Sequence, residues 1–169
     1  AQIDAGEGRG SFFYPEIGDE VIVGFINEDP RDAVVLGRLY SSAKAAPLEP
    51  SDDNHEKGIF TRSGMRILFN DEEISLKIDT PNGNQILISE DDGSITVEDE
   101  NSNRFRMSSS GIELESNSDI QIKASGDIKM EGTNIELKAS AGLSADGSAS
   151  ASLSSSGNTE VKGSIVQIN

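Results

Sequence analysis

Cysteine and tryptophan are absent from this 169-residue chain, histidine occurs once, and 14 Lys and Arg face 30 Asp and Glu. Each scarcity excludes something. Without cysteine there are no disulfides, although the compartment stays open. The formal charge of −16 repels phosphate polymers, so nucleic acid is not an expected partner. No apolar run reaches the roughly 18 residues that a membrane helix needs, and no signal peptide is visible, so export would use other machinery. Only 34% of residues are hydrophobic and 5% aromatic. Every aromatic (Phe12, Phe13, Tyr14, Phe25, Tyr40, Phe60, Phe69 and Phe105) precedes residue 106, so the remainder can bury only small aliphatic groups. Such a chain is too poor in core to close on itself, and neighbouring copies are the natural remedy.

What is present is a repeat. Between Gly111 and Lys162, Ile112, Ile120 and Ile128 recur every eight residues, with Leu114, Ile122 and Met130 two places later. Alternation of period two marks strands with one buried face, and Gly, Asn and Asp between the runs supply corners. The phase slips by one at Asn134, after which Ile135 and Leu137, Leu143 and Ala145, Leu153 and Val161 keep the spacing. A fixed short period marks a solenoid. Gly142 to Gly157 is mostly Ser, Ala and Gly and by composition alone is a flexible linker, but Leu143, Ala145, Ala149, Ala151 and Leu153 stay in phase, as the inside of a narrowing shaft would require. The chain closes on a predicted strand from Val161 to Asn169 whose Ile165, Val166 and Ile168 have no following repeat to cover them. An exposed apolar end demands a cap.

Upstream, three further segments are expected. Residues 1–42 read as part of a small barrel: a Gly-rich entry, a turn at Tyr14 to Glu20, a buried strand Val21 to Ile26, a loop at Asn27 to Asp32, and a returning strand Ala33 to Tyr40. Residues 43–58, with Pro47, Pro50 and the run Asp52-Asp53-Asn54-His55-Glu56, read as an extended linker. Residues 59–110 read as a wider β-prism or meander with strands Met65 to Phe69, Ile74 to Ile78, Gln85 to Ile88 and Ser94 to Val97, punctuated by Asn82-Gly83 and Asp92-Gly93 turns. Residues 111–169 are the octad needle and its tip. The chain begins at Ala1 without an initiator Met, as a fragment of a longer protein would.

The phrase Gly8-Arg9-Gly10-Ser11-Phe12-Phe13-Tyr14-Pro15-Glu16-Ile17-Gly18-Asp19-Glu20-Val21, followed by Gly24-Phe25, Asp29-Pro30-Arg31 and Val34-Val35-Leu36-Gly37, resembles the oligomer-binding barrel of VgrG-type spike proteins of contractile injection systems. The octads and the ending Val161-Lys162-Gly163 with Ile168-Asn169 resemble the needle of those spikes. The resemblance implies an all-β fold, a small five-stranded (OB-fold) barrel portion followed by an intertwined trimeric triple-stranded β-helix. It implies a homotrimer, with Ile112, Leu114, Ile120, Ile122, Ile128, Met130, Ile135, Leu137, Leu143, Leu153 and Val161 as trimer core. It also implies a PAAR-type tip protein, named for its Pro-Ala-Ala-Arg motif, on Ile165, Val166, Ile168 and Asn169, and baseplate and inner-tube hub proteins at the N-terminal end. Such a particle is assembled in the bacterial cytoplasm and acts outside the cell, touching the target membrane transiently. The chain departs from the pattern in having no tube-like hub domains before the barrel, no lysozyme insert, and no His-x-His pair for iron near the tip.

No cofactor, metal or catalytic residue is expected. His55 beside Asp52, Asp53 and Glu56 is ordinary solvated sequence, and no Gly-Gly-x-Gly-x-Asp calcium repeat occurs. Oligomer-binding barrels often take nucleic acid on basic grooves, but residues 1–58 carry twelve acids against five bases. The alternative function is a carbohydrate-binding or carbohydrate-cleaving phage tailspike or adhesin stalk, which would use paired carboxylates such as Glu113 and Glu115. Those two alternate with Ile112 and Leu114 and are expected to face outward as solvated charge. The preferred expectation is mechanical: a rigid, non-enzymatic needle that punctures an envelope. About fourteen octad-sized levels at roughly 4.8 Å each would make a shaft on the order of 65 Å long.

Overall fold

The computed structural model describes residues 3–168, and the chain divides into two compact units, Ala1–Gln121 and Ile122–Asn169. All regular structure among the described residues lies in the first unit, and all of it apart from one short helical turn is β.

The N-terminal part holds two small antiparallel sheets. Strands β1 (Ala5–Gly6) and β2 (Arg9–Gly10) pair through a turn at Gly8, and Arg9 bridges back to Asp4 at 2.9 Å. The Pro15–Gly18 turn is closed from both sides by one residue. Asp19 accepts the Glu16 amide on its carboxylate at 2.8 Å and donates its own N–H to the Glu16 carbonyl at 3.0 Å. Strand β3 (Glu20–Phe25) then pairs with β4 (Ala33–Leu39), with a register shift between Ile22 and Val23, and a 3-10 turn over Ile26–Glu28 reverses the chain between them. Both strands fall where the sequence places them. Their burial does not: Ile22, Val23, Phe25, Leu36 and Leu39 are exposed, because each strand has a single neighbour and no second layer covers it among the described residues.

The segment expected as a free linker is partly anchored. The Lys44 ammonium donates to the Gly18 carbonyl, and Lys57 reaches both the Asn54 carbonyl, at 2.6 Å, and Asp71. Its last residues already belong to a strand, β5 (Glu56–Phe60).

From there the chain runs as a strict meander: β6 (Arg66–Asn70), β7 (Ser75–Asp79), β8 (Gln85–Ser89), β9 (Ser94–Glu98), β10 (Arg104–Ser108) and β11 (Gly111–Glu115), giving a 7-stranded antiparallel sheet in sequence order. The three turns along one edge are alike. Thr61, Thr80 and Asp99 each donate their N–H four residues on, to Met65, Asn84 and Asn103 at 3.0–3.1 Å, and accept from the residue three on, Gly64, Gly83 and Ser102. Gly64 and Gly83 take φ of 84° and 97° there, the left-handed conformation that a two-strand reversal uses.

One strand boundary departs from expectation. The alternation Ile74, Leu76, Ile78 predicts Ile74 as the first inward residue of its strand. It instead ends the turn at φ 48°, the place that Gly93 takes at φ 55° one hairpin later, and its side chain is exposed. A β-branched residue in that region is strained.

In the second unit no helix or strand occurs among the described residues, so the octads after the first, whose strand β11 pairs with β10, and the predicted closing strand form no ladder within their own chain. The backbone donors and acceptors of this unit are therefore left without the sheet partners that alternating sequence anticipates.

Candidate interaction surfaces

Register sorts the sheet into an apolar face and a mainly polar one, on which Phe60, Leu68 and Leu87 also stand. One row runs Ile59, Ile67, Ile78, Ile86, Val97, Phe105, Leu114, and the row beside it runs Lys57, Phe69, Leu76, Ile88, Ile95, Met107, Ile112. Every position but Lys57 is apolar. Adjacent side chains in such rows stand close enough to pack, about 4.5–5.5 Å between Cβ atoms. Yet no hydrophobic residue of the described chain is buried; on this face Ile67, Leu76, Phe105 and Met107 are partly covered, and the others are exposed, up to 71% at Ile112. The described residues that are buried, Asp79, Ser89, Ser94 and Thr96, all lie on the other face. A sheet that hides its serines and shows its isoleucines has no completed core in a single chain.

The polar face is held by cross-strand pairs at directly opposed positions. The Arg66 guanidinium grips Asp79, with Nε donating at 2.9 Å, and Lys77 stands 3.5 Å from the same carboxylate. Gln85 donates to Glu98 at 3.4 Å, and Arg104 meets Glu115 at 2.8 Å and Glu113 at 3.9 Å. The Arg66 guanidinium, more than Lys77, keeps the Asp79 carboxyl below the usual carboxylate range. At the β9–β10 turn, Asp99 accepts from the Asn103 side chain and backbone, each at 2.8 Å, and from Asn101, which lowers its pKa to about 2. Glu113 and Glu115 do lie on this polar face, but each is matched to Arg104. No three His, Cys, Asp or Glu side chains converge as a metal site among the described residues.

The predicted core residues divide by unit. Ile112 and Leu114 sit in β11 opposite Met107 and Phe105, at the end of the apolar rows. Ile120 joins Ile78, Ile86, Val97, Phe105 and Leu114 in lining an open hollow of about 650 Å³. Ile122, Ile128, Met130, Ile135, Leu137, Leu143, Leu153 and Val161 are all exposed in the second unit and are not drawn together. Ile165, Val166 and Ile168 at the expected tip are exposed as well, and Asn169 lies outside the described residues. The two rows from Ile59 to Met107 lie outside the octads, although their period-two alternation carries the same signal. No helix of the described residues is long and apolar enough to cross a membrane.

Residues 1–40 match the family model described as the type VI secretion system/phage-baseplate injector OB domain. Over those residues the chain is similar to that OB domain. It is 36% identical over 63 residues to the type VI secretion system spike protein VgrG1a of Pseudomonas aeruginosa, a stretch that is 37% of this chain and 10% of that relative. The same identity and length hold for VgrG1b of that organism, over 8% of its length. Against VgrG3 of Vibrio cholerae the figures are 45% over 47 residues, 28% of this chain and 5% of that protein. The aligned stretch thus spans a tenth or less of these relatives' own lengths.

Proposed function

We propose that this chain is one subunit of a non-enzymatic, membrane-piercing spike at the tip of a contractile injection system. Three copies associate, with the OB-type segment at the baseplate end, the meander as the wide part of a prism, and the octads as an intertwined triple-stranded β-helix. The observation that carries this reading is the apolar face of the seven-stranded sheet, continuous over all its strands and uncovered in one chain. The match of residues 1–40 to an injector OB domain supports the same assignment.

The physics suits a mechanical part. Completing the burial of about a dozen half-covered side chains is worth on the order of 10 kcal/mol per chain before association costs. Octads that take their hydrogen bonds from neighbouring copies cannot separate without unwinding. Small inward residues from Ala145 to Ala151 leave no void to collapse under load, and a charged exterior does not adhere to lipid. Ile165, Val166 and Ile168 would seat a PAAR-type tip protein, and hub proteins of the inner tube and baseplate would hold the other end. The particle would form in the bacterial cytoplasm and act beyond the cell.

Sedimentation and unboiled SDS gels test the assembly. The expected species is a detergent- and heat-resistant trimer of three times 18.0 kDa. A clean monomer would remove the proposal.

A further inference from the structure

The edge of the sheet that carries the turns at residues 61–65, 80–84 and 99–103 has a fourth position of the same kind, where the chain leaves β11. One step beyond the paired residues, Asn84 comes opposite Asp99, and Asn103 opposite Ser116. In each case the asparagine carboxamide oxygen accepts the N–H of the residue after that partner, Glu100 at 3.3 Å and Asn117 at 3.2 Å. The first turn has no such link to the second, because the donor's place falls to Pro81, which has no N–H, and the acceptor's to Met65. Residues 116–120 therefore begin as a turn begins. The Ser116 hydroxyl donates to Asn103 at 2.7 Å and accepts the Ser118 N–H at 3.1 Å, as the Asp99 carboxylate accepts the Asn101 N–H at 2.8 Å. They do not end as one. No backbone hydrogen bond joins Ser116 to Asp119 or Ile120 among the described residues, and Asp119, in the place of Gly64, Gly83 and Ser102, has no positive φ. The third turn offsets its left-handed serine with the Asp99 carboxylate, which gathers the backbone and side-chain N–H groups of Asn101 and Asn103. Ser116 has a single hydroxyl for that task, and Ser118 and Ile120 bring no carboxamide.

We infer that residues 116–120 are a fourth reversal arrested half-way, a strap poised to close, and that the backbone of Asp119 decides whether it does. Closing takes a left-handed residue at position 119. Its N–H then reaches the Ser116 carbonyl, and the Ser116 N–H reaches the Ile120 carbonyl, as in the other three turns. Gln121 comes opposite Glu115 on β11, an edge strand of the sheet, and begins to pair with it. With the reversal open, the chain leaves the sheet without turning back. A side-chain cost in the left-handed region stands against a few exposed hydrogen bonds, so one substitution is enough to move the balance. The reversal itself follows from the chain's own geometry. Its consequence rests on the spike assembly proposed above: a copy with the strap closed covers its β11 edge with its own chain and withholds the start of its octads from its neighbours.

Amide hydrogen exchange, resolved residue by residue and corrected for intrinsic rates, reads the two halves of the reversal separately. In the parent chain the Asn117 amide should exchange slowly, like that of Glu100, and the Asp119 amide at the rate of an open chain. Asp119→Gly admits positive φ without a side-chain cost. It should slow exchange at position 119 by about two- to threefold and lower the yield of detergent-resistant oligomer in the same proportion. Asp119→Ala removes the same carboxylate but keeps a Cβ, and should change neither. A parent Asp119 amide as slow as that of Ser102, or equal slowing in the alanine variant, overturns the inference. Slower exchange in the glycine variant with an unchanged yield overturns it too, because the reversal would then not compete with assembly. A parent chain that forms no detergent-resistant oligomer removes the spike reading instead, and the amide pattern then decides by itself whether the reversal is half made.

Discussion

The sheet over residues 56–115 and the chain beyond residue 121 share one alternation of apolar and polar residues, but only the sheet pairs with itself. The difference lies at the corners. In the sheet the reversals use left-handed residues, Gly64, Gly83 and Gly93 among them, and the strands return antiparallel. After Gly111 no described residue has a positive φ, including Gly126, Gly132 and Gly142. Corners of that kind advance the chain without folding it back, because tight hairpins require φ above zero. Apart from its two edge strands, β5 and β11, the sheet is therefore paired in hydrogen bonds but incomplete in burial, and the octads are incomplete in both. Hydrogen-bond closure is a local property of turns, whereas burial needs a second layer, which in the proposed assembly other copies supply.

The most severe break of this comparison is a charge in the octads. Ile122→Asp should abolish the detergent-resistant species, since related copies would bring their carboxylates together in an apolar interior at a cost of several kcal/mol. The sheet, which owns its hydrogen bonds, should keep part of its β circular dichroism. An unchanged gel band would mean that Ile122 faces solvent and that inside and outside have been exchanged.

Acid should separate the regions more gently. The folded-state pKa of Asp99, about 2, lies below its ordinary value of 3.8. Its turn is thus fully stabilised above about pH 4, and that contribution fades as pH falls from about 4 toward 2. Asp79 acts in the same direction through Arg66. Salt should weaken the Asp79 contribution and leave that of Asp99, whose partners are neutral amides. Thermal midpoints between pH 5 and pH 2 should fall less in Asp99→Asn than in the parent. Parallel curves would sever Asp99 from the acid limb.

Much of the sheet was legible because period-two alternation, Asn82-Gly83 and Asp92-Gly93 are local signals, and the strands end within a residue or two of the expected limits. Ile74 was not legible. Its alternation with Leu76 and Ile78 argues for the strand, and nothing in the sequence announces that the preceding Asp-Glu-Glu turn needs a left-handed residue to close. Strand position at β3 and β4 was readable, but burial was not, since Phe25 and Val23 look like core residues whether or not a second layer exists. Octad spacing identifies residues that share a side. It carries no information on which chain supplies the neighbours, so Ile122 through Val161 remain a candidate core proposed rather than seen.

The three like turns on one edge of the sheet permit a small, clean test of turn chemistry. Gly64 and Gly83 fill the left-handed place at φ 84° and 97°, whereas the third turn puts Ser102 there at φ 62°. Its N–H donates to Asp99 at 3.1 Å, as Gly64 and Gly83 donate to Thr61 and Thr80 at 2.9 and 3.0 Å, so the backbone role is the same. A side chain in that region costs about 1–2 kcal/mol. Glycine removes that cost and gives some of it back through greater freedom of the unfolded chain, roughly 0.5–1 kcal/mol. Ser102→Gly should therefore raise stability by about 0.5 kcal/mol per chain, read as a small rise in the urea midpoint at unchanged slope. Gly83→Ser, which introduces the same strain one hairpin earlier, should lower it by a similar amount. If both substitutions move the midpoint the same way, backbone strain is not what distinguishes the third turn from the first two.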